Sequence, residues 1–309
     1  MILTVTLNPA YDMTYRVERF DRGREHRVLS VEQRIGGKGI NVSRVLNQLG
    51  KYSRATGFAD HMFSAAAELE LPVDFVHALP WVRRTVVISE SGDGTATSLW
   101  EPGARLNEPY AIDQLKVRVA GLLTDSGGMV VSGSLPGGVA DSVPAELART
   151  ALESGVPTIC DVDGRALELA AEVPGVVLMP NRDELERLTG CTAESPAEVV
   201  AAARPLLKAG VRAVIATRGA EGMIVVTSTG AWSAASPEPV AGNPTGAGDA
   251  AAAAVIAALA DGEPDWPAVL ADAIATSAAA VVIPVAGEID RAVRTRLLPA
   301  ITVTDLNIA

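Results

Sequence analysis

Asn243-Pro244-Thr245-Gly246-Ala247-Gly248-Asp249 runs without a break into the apolar residues 250–260. A turn rich in Gly and Pro opens into an alanine-dominated helix, with a carboxylate at the junction. Free amides at a helix start, and the positive end of its dipole, seat an anion. Small residues let a phosphate approach the backbone. A carboxylate at such a place only repels an anion, unless the site must also take a proton from an attacking hydroxyl. The run therefore points to phosphoryl transfer to an alcohol. A plain helix start with an acidic first turn is the alternative. It is not a Walker A loop, because no Lys-Ser/Thr follows the glycines.

Outward from this run, the spacing predicts helices over 246–261, 267–282 and 288–297. Before them, helices over 111–123, 141–154, 165–172 and 196–209 alternate with strands over 129–131, 157–160, 176–179 and 213–216. Strands alternating with helices mean βαβ units and a parallel sheet, hence an α/β fold. The chain opens on a strand (residues 2–7) ending at Asn8-Pro9. Residues 11–35 read as strand material through Tyr11, Met13, Tyr15, Val17, Val28 and Val31. Gly36-Gly37-Lys38-Gly39 breaks this pattern, and a helix follows with Val42, Val45, Leu46 and Leu49 on one face and Gly50 closing it. A second β-rich stretch, 85–89 and 95–100, is joined by Ser91-Gly92-Asp93-Gly94, a good hairpin turn. We read 11–35 and 83–101 as a small β-lid, and 1–10, 36–82 and 102–309 as the main domain. Extra edge strands on the main sheet are the alternative reading.

The 309 residues are 48% apolar and 20% charged, as in soluble globular proteins. A net charge of −11 argues against general nucleic-acid binding. The charge is uneven: residues 1–60 sum to +4 and the rest to −15. The basic segment marks either an anionic small-molecule site or a solvated face. Cys160 and Cys191 lack metal-ligand spacing and suit a reduced, cytoplasmic setting; His26, His61 and His77 form no cluster. The N-terminus has no signal-peptide pattern. Residues 250–260, the longest apolar run, are too few to span a bilayer, so no membrane partner is expected.

Five segments occur in order: Asn8-Pro9-Ala10-Tyr11-Asp12, residues 36–42 (Gly-Gly-Lys-Gly-Ile-Asn-Val), Ser132-Gly133-Ser134-Leu135-Pro136, Pro180-Asn181-Arg182-Asp183-Glu184 and Gly246-Ala247-Gly248-Asp249. This set resembles the PfkB (ribokinase-like) carbohydrate kinases over nearly the whole chain. It looks most like the branch of 1-phosphofructokinase, tagatose-6-phosphate kinase and the minor 6-phosphofructokinase. The resemblance implies a three-layer α/β/α sandwich with a mostly parallel central sheet and a small β-sheet lid. It implies Asp249 as general base, with Gly246, Ala247 and Gly248 as the anion hole for the γ-phosphoryl. Asp12 and Asn41 match sugar-hydroxyl ligands, and Gly36 and Gly37 the hinge of the lid. Lys38, Arg27 and Arg83 match positions facing the substrate's own phosphate. Asn181 and Glu184 match the motif that orients Mg²⁺ through water; a capping box at a helix start is their alternative. Thr217, Gly219 and Gly222 match the nucleotide loop, or else a tight hairpin, and Asn243 and Thr245 join the nucleotide side.

The resemblance thus implies ATP and Mg²⁺, with K⁺ as a further candidate. The expected acceptor is a phosphorylated ketohexose: fructose 1-phosphate, fructose 6-phosphate or tagatose 6-phosphate. Met179 stands where the branch usually has a Lys, and Thr85, Val87 and Trp100 depart from its lid pattern. These changes motivate two other readings, a kinase of an unphosphorylated sugar or nucleoside and a non-catalytic sugar- or nucleotide-binding regulator. A homodimer through the lid is also expected, because Val86, Ile88 and Trp100 on thin lid strands would need a cover.

Overall fold

The computed structural model describes residues 1–92, 95–106, 108 and 110–306. The first part of the chain forms β1 (Ile2–Thr6), β2 (Ala10–Val17), β3 (Ser30–Gly36), α1 (Lys38–Gln48), β4 (Ser53–Ala59), α2 (His61–Glu68), β5 (Val73–His77), β6 (Arg83–Glu90) and β7 (Ala96–Trp100). The middle forms α3 (Ala111–Leu123), β8 (Gly128–Ser132), α4 (Val143–Glu153), β9 (Thr158–Asp161), α5 (Gly164–Ala170), β10 (Val177–Leu178), α6 (Arg182–Thr189), α7 (Pro196–Lys208) and β11 (Ala213–Thr217). The last part forms β12 (Met223–Thr227), β13 (Ala231–Ala234), α8 (Ala247–Asp261), α9 (Trp266–Val281), α10 (Arg291–Leu297) and β14 (Thr304–Asp305).

The main sheet has the order β14-β13-β12-β11-β10-β9-β8-β1-β4-β5, parallel from β11 to β5, with β12, β13 and β14 added antiparallel. Buried on both faces, β1 and β8 are near-continuous apolar runs. The pleat sends alternate residues to two cores: Met129 and Val131 pack with Leu115 and Leu147, while Val130 packs with Val45, Ala253 and Val269. Helices therefore cover both faces, giving the expected three α/β/α layers. The alanines of α8 lie between the sheet and its neighbours α1 and α9, and residues 250–254 are essentially fully buried.

Two features departed from expectation. Residues 51–82 carried no expected element, yet β4 runs buried beside β1. Gly57 (φ 137°) is obligatory there, since a Cβ would sit 1.8 Å from the Thr6 carbonyl oxygen. The segment 11–35 is not strand throughout: β2 ends at Val17, β3 starts at Ser30, and Val28 lies in the connection between them. At the expected hairpin turn, Asp93 and Gly94 lie outside the described residues.

The two β-rich stretches join in a separate four-stranded sheet, β3-β2-β6-β7, in which β2 and β6 pair in parallel. Residues in register across a sheet share a face. Arg34, Asp12, Thr85 and Trp100 therefore form one rung on one face, and Glu32, Thr14 and Val87 part of the next. Trp100, grouped above with Val86 and Ile88 as lid residues in need of a cover, stands on the opposite face from them.

Candidate active site

In the main sheet, β1 leads on one side to β4 and β5, and β8 leads on the other to β9, β10 and β11. The order reverses between β1 and β8, and the crevice beyond the strand ends at such a reversal is where α/β proteins bind ligands. A cleft of about 700 Å³ lies there. Asn8 beyond β1, Gly133 and Ser134 beyond β8, Asp161 ending β9, Asn181 beyond β10 and Thr217 ending β11 all line it. The small sheet roofs it with Asp12, Arg34, Arg83, Thr85 and Trp100.

The start of α8 closes the other side. Gly246 has φ 86°, and a Cβ there would lie 2.9 Å from the Cβ of Ala286, so glycine is required. Gly248 is different: a Cβ would meet nothing within 4 Å. A helical glycine costs about 1 kcal/mol against alanine, and no packing contact explains it; open space above the backbone does. The Ala247 amide donates to the Pro244 carbonyl (3.1 Å) and the Ala250 amide to that of Gly246 (2.9 Å). Among the described residues, the Gly246, Gly248 and Asp249 amides have no intramolecular partner. The free donors are thus shifted from the expected set, since the Ala247 amide is engaged.

Asp249 is buried in the first turn of α8. Burial raises its pKa to about 7, helped by Asp161 and opposed by Lys38 and by the Asn41 amide. Asn41 Nδ2 donates to Asp249 Oδ2 at 3.0 Å. Lys38 Nζ donates to Asp161 Oδ1 at 3.0 Å. Burial pulls the Lys38 ammonium down, but Asp161, Asp249 and Glu184 outweigh it and hold it above the usual lysine range. Lys38, expected against the substrate's own phosphate, lines the cleft with its protein partners at the Asp161 and Asp249 corner.

Asn181 and Glu184 form a complete capping box on α6. The Glu184 amide donates to Asn181 Oδ1 (2.9 Å) and the Asn181 amide to Glu184 Oε2 (2.8 Å). The structural alternative is therefore realised, and both residues also line the cleft. Burial raises the Glu184 pKa, against the Asn181 amide and Lys38. Asp161, Asp163 and Glu184 offer hard oxygen donors suited to Mg²⁺. Among the described residues, no three acidic, His or Cys side chains converge to hold an ion unaided. An ion there would keep water and phosphate ligands, as Mg²⁺ prefers.

On the roof, Thr85 donates its hydroxyl to Asp12 Oδ1. Burial raises the Asp12 pKa, countered by Thr85 and by Arg44, Arg83 and Arg34. Gly36 leaves room for that carboxylate, because a Cβ would lie 2.1 Å from Asp12 Oδ2; Gly37 caps α1 at φ 117°. Arg83 Nη1 donates to the Glu101 carbonyl (3.0 Å), while its Nε is buried without a partner. Ser134 Oγ accepts from Asn8 Nδ2 at 3.1 Å.

Asp12, Gly37, Lys38, Asn41, Arg83, Asn181, Glu184, Thr217, Asn243, Thr245, Gly246, Gly248 and Asp249 line the cleft. Gly36 abuts it through Asp12. Gly219 and Gly222, with φ 57° and 85°, turn the β11–β12 hairpin and do not line it. Arg27 is exposed on the β2–β3 connection and does not reach it. Arg34 lines it instead and pairs with Glu288 at 2.6 Å. Asp161, Asp163, Ser134 and Arg34 escaped the sequence reading. The acidic pair Asp161-Val162-Asp163 after a strand was the one signal for the first two.

A profile of the pfkB family carbohydrate kinases matches residues 5–292. The 1-phosphofructokinase of Xanthomonas campestris pv. campestris is 33% identical over 268 residues, covering 84% of this chain and 84% of that protein. The tagatose-6-phosphate kinase of Staphylococcus epidermidis is 30% identical over 268 residues, covering 84% of this chain and 85% of that protein. Among solved structures, phosphofructokinase-2 from Escherichia coli in complex with potassium superposes with a TM-score of 0.88 at 26% identity, covering 97% of this chain and 98% of that one. The same enzyme has a tetrameric inhibited form and a complex with fructose-6-phosphate. The family match takes in every segment that lines the cleft, and by it the chain belongs to the pfkB family of carbohydrate kinases.

Proposed function

We propose that the chain transfers the γ-phosphoryl group of ATP to a hydroxyl of a phosphorylated ketohexose, with Asp249 as the general base. The observation that carries this reading is Asp249 itself: buried, raised to about 7, and set in a helix start whose neighbouring amides are free. A base with a pKa near the working pH accepts a proton as the substrate oxygen attacks. The hydroxyl oxygen forms its bond to the γ-phosphorus, the bond to the β-γ bridging oxygen breaks, the proton goes to Asp249, and ADP leaves. The Gly246, Gly248 and Asp249 amides and Lys38 face the charge on the transferring group. Glu184, Asp161 and Asp163 would hold Mg²⁺ through water, and the ion would neutralise phosphate charge. The ATP side falls to Asn181, Thr217, Asn243 and Thr245, with Gly219 and Gly222 shaping the hairpin beside it.

Asp12 and Asn41 serve the sugar hydroxyls. The Nε of Arg83, buried with no partner among the described residues in the cleft that Ser134 also lines, suits the acceptor's own phosphate. Arg offers it bidentate geometry. The names of the two curated relatives support a phosphorylated acceptor. We divide the chain into a lid (11–35 and 83–101) that closes over the sugar and a main domain holding the rest. We expect cytoplasmic residence and a homodimer; among the described residues, no helix is long and apolar enough to cross a membrane.

The test is a turnover screen with Mg-ATP over fructose 1-phosphate, fructose 6-phosphate, tagatose 6-phosphate, fructose, ribose and a nucleoside. Turnover confined to one or more phosphosugars is expected. Turnover confined to the unphosphorylated acceptors overturns the phosphosugar reading.

A further inference from the structure

Trp100 is 74% exposed on the edge strand β7, yet it lines the cleft. Its register accounts for this. It pairs with Thr85, and Thr85 pairs with Asp12, so all three side chains rise from one face of the roof. Two strand spacings, roughly 9–10 Å, separate Trp100 from Asp12, a gap that accommodates one sugar ring. The residue after Trp100 is tied to Arg83, one of the cations of the cleft. Glu101, the next residue, accepts from Arg83 Nη1 through its carbonyl (3.0 Å) and from the Arg84 amide through its carboxylate (2.7 Å). An indole is rarely left this bare without a partner, since its apolar face gains from cover.

We propose that Trp100 is a specificity-determining residue whose indole packs on the apolar C–H face of the acceptor's ring, so that the cleft selects a cyclic sugar. A sugar ring carries hydroxyls at its rim and C–H groups on its faces. Asp12, seated by Thr85, holds the rim, and Trp100 takes the face. The negative face of the indole attracts the slightly positive C–H groups, and the contact removes apolar area from water on both sides. An open-chain acceptor offers no such face. The cation for the acceptor's phosphate, Arg83, lies one residue back along β6 from Arg84 and is tied to the same Glu101. Ring and phosphate are thus read from adjoining points of one strand pair. This inference rests on the phosphosugar-kinase reading.

The test uses 2,5-anhydromannitol 1-phosphate, a ring-locked analogue that cannot open and whose symmetry makes it a mimic of either fructose monophosphate. Kinetics with the best phosphosugar of the screen are measured alongside. In the native protein the analogue should bind and change tryptophan fluorescence. Trp100→Phe should abolish most of that change, despite Trp81, Trp232 and Trp266, while keeping the sugar KM within about threefold. Trp100→Ala should raise the sugar KM and the analogue Kd about tenfold, leaving the KM for ATP and the unfolding temperature unchanged. Equal KM in the native and Trp100→Ala proteins overturns the proposal while leaving the kinase reading intact. So does an unchanged KM with a drop in oligomeric state on light scattering, which would assign the indole to a subunit interface. A native protein that turns over no phosphosugar fails the kinase reading first, whatever Trp100 does.

Discussion

Replacing Asp249 by Asn should destroy activity and stabilise the protein, two effects of opposite sign from one atom change. Asn keeps the shape, and its carbonyl can still accept from Asn41 Nδ2, which lies 3.0 Å from Asp249 Oδ2. It cannot take a proton. General-base catalysis contributes about 10²- to 10⁴-fold, so kcat should fall by about 10³. Folding raises this carboxyl from 3.8 to about 7, chiefly through burial. The folded protein therefore binds the proton more tightly than the unfolded chain, and stability falls as pH rises from about 4 to about 7. The penalty is complete above the folded pKa, where the gap corresponds to about 4 kcal/mol. That gap already includes the attraction of Lys38; the buried amide carries a smaller desolvation cost of its own, leaving a gain of about 2 kcal/mol at pH 8. That gain should shrink as the pH drops toward 4. The assays are ADP release coupled to NADH oxidation, and denaturant unfolding of both proteins at pH 5 and pH 8. The native kcat/KM should also rise about tenfold between pH 6 and pH 8, following the deprotonated fraction of a free-enzyme group titrating near 7. A variant that keeps a tenth or more of native kcat refutes Asp249 as the base. A variant less stable than the native protein at pH 8 refutes the account of its burial.

Three further outcomes follow from the same geometry. Lys38→Met should lower kcat about 10²-fold; it also removes a cation that holds Asp249 down, so the acid limb of the pH–rate profile should move to higher pH, and an unmoved limb counts against the coupling. Arg83→Ala should raise the phosphosugar KM at least about tenfold, or about 1.4 kcal/mol, with the ATP KM unchanged; an equal effect on an unphosphorylated sugar would show that Arg83 does not read the phosphate. Glu184→Gln should raise the Mg²⁺ concentration for half-maximal rate about tenfold without changing the sugar KM, and chelation should stop turnover of the native enzyme reversibly, as titration with EDTA and added Mg²⁺ will test.

The parts of the site legible in the sequence are those in which a few neighbouring residues meet a local backbone demand. Gly246 and Gly37 each adopt a positive φ at a helix start, and Asn181 and Glu184 close a box four residues long. Such constraints leave motifs. The long β/α alternation was legible for the same reason, since each strand and helix carries its own period. The rest depends on sheet order. Asp161 meets Lys38 across 123 residues, and Arg34 meets Glu288 across 254. Neither pair leaves a local pattern, because its members end up together only when β9 is placed two strands from β1 and the small sheet is laid over both. The strand β4, Ser-Arg-Ala-Thr-Gly-Phe-Ala, lacked the apolar signature of its neighbours; burial between β1 and β5 makes it a strand. The face that Trp100 takes had no sequence signal either, because one aromatic says nothing of register, whereas its pairing with Thr85 does.

In the reaction proposed above, the charges of the site would let Asp249 be both quiet and strong as a base. Asp12, Asp161, Asp249 and Glu184 converge on one cleft, and Lys38 is the cation placed among the last three. With Lys38 bonded to Asp161, its field holds Asp249 below the value that burial alone would impose. A phosphoryl group entering beside the Gly248 amide competes with Asp161 for that ammonium. It also adds negative charge next to Asp249. Both changes push the carboxyl further up, so it becomes more basic as the reacting phosphate arrives. The same step shields the phosphate behind a cation and free amides, which lowers the cost of bringing anions together in a buried cleft. On the proposed reading, Lys38 would thus tie the strength of the base to occupancy of the site.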